Sequence, residues 1–146
     1  MKGLYRGFCR NENGTETIVL NGEKIKGEWV QGNYVHRTQF YGEDFPCDDH
    51  FILIGGEFHA DYYNACEVIP ETVCEAVRGL TDRNGKQVFE GDIFGNGSYP
   101  LAEVKYNEEF WEWSAKDFGG FEDKINEFDV DEVIGTIFDE QFAEGV

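Results

Sequence analysis

Short apolar stretches alternate along the chain with clusters of Gly, Asn, Asp and Pro, the pattern of a strand-and-turn protein. Residues 15–20 (TETIVL) are β-branched, Asn21-Gly22 follows, and Glu23-Lys24-Ile25 resumes the run. Asn-Gly between two such runs predicts a β-hairpin, because both residues accept the positive φ of a tight hairpin turn. Residues 28–37 (EWVQGNYVHR) predict a strand, with Gly32 at a bulge or a close backbone approach. Residues 40–49, with Pro46 and paired acids, read as a loop, and residues 51–54 (FILI) as a buried strand. Pro70 confines residues 68–73 to an edge or a turn, because it has no N–H for a ladder. Residues 74–78 lead as a strand into residues 79–94, GLTDRNGKQVFEGDIF.

That segment predicts two bends. Asp82-Arg83-Asn84-Gly85 has Asp where a type I turn favours it and Gly where a left-handed residue is needed. Glu90-Gly91-Asp92 is a second tight bend, with Val88-Phe89 as strand before it and Ile93-Phe94 after it. In residues 110–113 (FWEW), strand alternation places Trp111 and Trp113 on one face. Residues 121–128 allow a short helix, 133–138 (VIGTIF) form a last strand, and 139–146 a polar end with Phe142 as its aromatic. About nine or ten short antiparallel strands predict a mainly β fold, a compact barrel-like or sandwich-like domain with at most one or two short helices. A single domain over 1–146 is expected, with possible subregions 1–66 and 67–146.

Composition sharpens this picture. The 13 Phe, 7 Tyr and 3 Trp supply large buried areas, so the chain can build a core without staples. Twelve basic against 30 acidic residues give a formal charge of −18. Phosphate backbones and anionic lipid both need basic residues, so direct nucleic-acid binding and membrane docking are not expected. The acidity serves solubility, or else makes the surface a mimic of DNA and a trap for basic proteins. Residues 1–6 lead into no apolar core and no run approaches a spanning helix, so the cytoplasm is the expected compartment. Cysteines 9, 47, 66 and 74 form no Cys-x-x-Cys pair and are expected as thiols.

Candidate chemistry is thin. Gly79 and Gly85 are separated by five residues and Lys86 is followed by Gln87, so the phosphate-loop pattern, with its four intervening residues and magnesium-binding hydroxyl, is broken. A calcium loop starting at Asp82 would place Lys86 and Gln87 at its fifth and sixth positions and Ile93 at its twelfth. Cys47, Asp48, Asp49, His50 and His59 are metal-ligand types without paired ligand spacing. No Gly-x-Ser-x-Gly elbow occurs. No catalytic residue, metal or cofactor is assigned, and a non-enzymatic role is expected. A cryptic metal or cysteine site around residues 47–59 is the alternative enzyme reading. Asp82, Asn84, Gly85, Glu90, Gly91 and Asp92 are read as a structural turn motif. Trp111 and Trp113 are read as core or as an interface patch, since Trp is enriched at contacts.

Residues 79–94 resemble the signature of the YopX family of phage and prophage proteins. Three further stretches resemble that family in order: 27–34 around Gly27-Glu28-Trp29-Val30, 68–73 around Pro70-Glu71-Thr72-Val73, and 133–138. Residues 74–78 and the acidic segment 117–132 depart from its pattern. The resemblance implies a β-rich fold, a mobile-element origin and a bacterial cytoplasmic setting, and it assigns no activity. It fits an accessory protein that acts by protein–protein contact or self-assembly, with a homo-oligomer possible and the partner unknown.

Overall fold

A computed structural model describes residues 4–40, 46–54, 65–96, 99–117, 122–125 and 132–142. Among these residues twelve strands follow in chain order: β1 (Tyr5–Arg10), β2 (Glu16–Leu20), β3 (Glu23–Phe40), β4 (Pro46–Leu53), β5 (Ala65–Glu67), β6 (Cys74–Thr81), β7 (Gln87–Phe89), β8 (Asp92–Asn96), β9 (Tyr99–Asn107), β10 (Glu112–Asp117), β11 (Glu122–Lys124) and β12 (Glu132–Thr136). The fold is mainly β and the registered strand pairs are all antiparallel. Among the described residues, the helical elements are two 3-10 turns, Pro70–Thr72 and Glu140–Phe142. The sheets do not close, which removes the barrel alternative. Among the same residues no helix is long and apolar enough to cross a membrane.

Packing divides the chain into two units, Met1–Thr17 with Ile25–Glu75, and Ile18–Lys24 with Ala76–Val146. In the first unit, strands run in the order β5, β4, β3, β1, and the first residues of β6 pair with Tyr5 and Arg6 of β1. Strand β3 is far longer than its apolar run, because it pairs with β1 along Gly27–Gly32 and then with β4 along Asn33–Phe40. The loop expected over 40–49 is therefore replaced at its end by strand: Asp48 and Asp49 face Thr38 and Arg37 across the ladder. Polar cross-strand pairs hold such a strand as well as apolar ones do, and periodicity does not register them. Gly32 is a close approach, since a Cβ there would meet the Leu53 carbonyl oxygen at 1.9 Å.

Among the described residues, Phe8, Ile25, Ile52, Leu53, Val68 and Cys74 are the buried apolar residues of this unit. Thr72 is fully buried with them, its Oγ1 accepting from the Phe8 amide (2.9 Å) and donating to the Ile69 carbonyl (2.6 Å). The 3-10 turn that Pro70 starts thus satisfies backbone groups of β1 that have no strand partner.

In the second unit, β11, β10, β9, β8 and β12 form one sheet, and the rest of β6 pairs with β7. Val77, Leu80, Val88, Phe94, Ala102, Val104, Ile125 and Val133 make a contiguous core, with Trp113 and Ala115 packed against it. Asn21 and Gly22, at φ 51° and 81°, turn the β2–β3 hairpin. Both have the positive φ that a type I′ turn requires. Glu122–Lys124 is strand, not helix; the remaining residues of that expected helix, save Ile125, lie outside the described residues.

Candidate functional site

The second unit carries two kinds of bend, and the candidate residues divide between them. In the first, Asp82 is buried, and its carboxylate collects three backbone amides. Oδ1 accepts from Asn84 and Lys86 (2.9 Å each), and Oδ2 accepts from Val133 of β12 (3.1 Å). The Gly85 amide donates to the Asp82 carbonyl at 3.0 Å, and Gly85 holds φ 80°. Asn84 contributes its backbone while the residue itself is exposed. Burial alone would raise the Asp82 carboxyl, but hydrogen bonds from Lys86, Val133 and Asn84 outweigh it and hold the group below the ordinary aspartate range. Three converging amide dipoles present positive charge at these oxygens, the opposite of a cation site.

The second bend of the motif works the same way. The Phe89 amide donates to Asp92 Oδ2 at 2.8 Å, with Asp92 fully buried. Gly91 is buried at φ 83°; its amide donates to the Val104 carbonyl and its carbonyl accepts from Ile137. Glu90 is half-buried beside it. Gln87, which breaks the phosphate-loop pattern, turns its Nε2 to the carbonyls of Val77 (2.7 Å) and Leu80 (3.1 Å). Sequence reading missed a third carboxylate of this kind: Asp139 Oδ2 accepts from the Thr136 amide at 2.9 Å. The spacing Thr136-x-x-Asp139 after a strand was its local signal.

The β9–β10 hairpin ends in a different bend. Asn107 pairs with Glu112, and Asn107 Oδ1 accepts from the amides of Glu109 (3.0 Å) and Phe110 (3.3 Å). Phe110 is 64% exposed and Trp111 83% exposed, and Trp111 holds φ 57°. Tyr106, Glu108 and Trp111 line an open hollow of about 380 Å³. Trp111 and Trp113 therefore do not share a face. Strand β10 begins at Glu112, so alternation does not extend back to Trp111. Trp113 is partly buried against the core, edge-on to Tyr106 at 5.2 Å. Of the pair, Trp113 packs against the core and Trp111 stands exposed.

The suggested metal ligands fare differently again. His59 and the Cys47 side chain lie outside the described residues. His50 stacks on His36 at 4.2 Å and shares a hydrogen bond with the Tyr34 hydroxyl. Asp48 accepts from Thr38 Oγ1 at 2.9 Å and lies 3.4 Å from His36 Nε2. Stacked rings direct their nitrogens edgewise, and no group of three or more ligands placed to hold a metal occurs among the described residues. Asp49 faces the other side of β4, 3.4 Å from the Arg37 guanidinium.

Comparison with known proteins adds one match. The family model described as "YopX protein" matches residues 5–141, spanning the turn motif, both units and the hairpin tip. Neither a curated protein nor a solved structure matches the chain.

Proposed function

The chain belongs to the YopX family, and on that footing we propose that it is a non-enzymatic accessory protein of a phage or prophage. In this reading it works in the bacterial cytoplasm by protein–protein contact through the β9–β10 hairpin tip. One observation carries the reading: Trp111, a bulky residue at positive φ, is 83% exposed. A left-handed non-glycine conformation costs stability, and an exposed indole returns little to the fold. Together with Phe110 it forms an aromatic anchor of the kind that dominates binding energy at interfaces. Glu108, Glu109 and Glu112 surround it. That rim disfavours a second copy of the same tip, where acid would meet acid, and favours a basic partner whose guanidinium stacks on the indole.

The test is retention of basic host proteins by the full chain and by Trp111→Ser and Phe110→Ser. The expected result is a defined partner held by the wild type and lost by both variants at unchanged melting temperature. Equal retention by wild type and variants would overturn the tip reading. Retention that survives Trp111→Ser but disappears at high salt would instead favour the second reading, an acidic DNA mimic, whose motive is the charge of −18.

A further inference from the structure

In the first unit, β5 and the residues after it pack on β1, and two contacts fix how. The Ile69 amide donates to the Phe8 carbonyl at 2.9 Å, and a Cβ on Gly7 would lie 2.9 Å from the Val68 Cβ. Positions 7 and 9 project from the same face of β1, because strand side chains alternate with period two. Moving two residues along β1 and two back from Val68 brings Cys9 to Cys66. Cys66 lies near enough to act on the Cys9 thiol, and both residues are half-buried, within reach of small oxidants. The Gly7–Val68 approach shows how near the two backbones run, and a disulfide needs a Cβ separation of only about 3.5–4.5 Å. Two thiols so placed are a cross-link awaiting an oxidant.

We infer that Cys9 and Cys66 form a dithiol site that a peroxide converts to an intramolecular disulfide, clamping β5 onto β1. One sulfur attacks the peroxide oxygen, the O–O bond breaks, and water leaves with a sulfenic acid remaining. The second thiol then attacks that sulfur, the S–S bond forms, the S–O bond breaks and a second water departs. Two electrons pass from the sulfur pair to the peroxide and the protons leave in the waters. Burial pushes the Cys9 thiol above its ordinary value, and Cys66 with the nearby Glu28 and Glu67 carboxylates adds to this. The reaction is therefore slow at neutral pH and accelerates as pH rises, because the thiolate is the nucleophile.

The experiment treats the folded full chain with hydrogen peroxide at pH 7 and pH 9, then blocks remaining thiols and maps peptides by mass. The expected product is a monomer with a 9–66 cross-link, formed faster at pH 9 and reversed by dithiothreitol. Its melting temperature should lie about 5–10 °C above that of the reduced chain. Cys66→Ser should leave a sulfenic acid at Cys9 that a dimedone probe captures, while Cys74→Ser should cross-link as the wild type does. Cys9 and Cys66 remaining fully alkylatable in folded, peroxide-treated protein would overturn the site. So would Cys9 pairing with Cys47, with Cys74 or with a second chain.

Discussion

The Asp82–Asp92 bends and the β9–β10 tip are both short turns of one unit with a residue at positive φ, yet they are built to opposite ends. In the first, glycines occupy the left-handed positions and buried carboxylates take up the backbone amides, so the polar atoms of Asp82 and Asp92 are used within the fold. In the second, a tryptophan occupies the left-handed position and its side chain faces solvent. A short polar residue, Asn107, holds that turn from inside. The contrast separates two reasons for a distinctive sequence. Asp82, Gly91 and Asp92 of the turn motif fasten β7 and β8 to β12 and β9. Among the described residues, the large apolar side chains left exposed lie outside residues 79–94.

Removing the Asp82 carboxylate is the largest expected blow. Asp82→Ala leaves the amides of Asn84, Lys86 and Val133 without their acceptor, the last of them on a buried residue. A loss of about 3–4 kcal/mol in urea unfolding is expected. A loss under roughly 1 kcal/mol would mean that water replaces the carboxylate and the node is dispensable.

The same group sets an acid limit. Its folded pKa lies below the unfolded value of about 3.9, so its contribution is complete above that pH and is lost as pH falls through the depressed folded value. Melting temperature followed downward from pH 5 should fall more steeply for the wild type than for Asp82→Asn. Parallel curves would remove Asp82 from the acid response.

Gly85→Val tests the bend alone, because a Cβ at that position meets nothing within 4 Å. The cost is then only left-handed strain in a β-branched residue, about 1–3 kcal/mol by chemical denaturation. Wild-type stability in this variant would show that the turn relaxes to negative φ.

At the tip the expected effect on stability is smallest. Trp111→Ser should change unfolding free energy by no more than about 0.5 kcal/mol, and Trp111→Gly should be neutral or slightly stabilising through relief of strain. A large destabilisation in both, read by the same urea titration, would make Trp111 a structural residue and erase the difference between the two bends.

What could be read directly was local. Asn21-Gly22, Asp82–Gly85 and Gly91 are bends because their own φ preferences and side-chain oxygens act over two to four residues. Phe8, Ile52, Val88, Val104 and Val133 are buried because they are apolar, whatever their partners. The extension of β3 to Phe40 was not readable, since Thr38–Asp48 and Arg37–Asp49 are cross-strand partnerships between polar residues. Nor was the split of Trp111 from Trp113, which turns on β10 starting at Glu112 and on a hydrogen-bonded loop before it.

The sequence by itself determined that the chain is a β protein with bends at its glycines and asparagines, because backbone preference and apolar periodicity act between near neighbours. Tertiary structure alone decided that Asp82 would reach Val133, that Thr72 would cap β1, and which tryptophan would be left in water. Those outcomes depend on which distant segments close on one another, and loop closure is set by the packing of the whole unit, not by the residues that flank each loop.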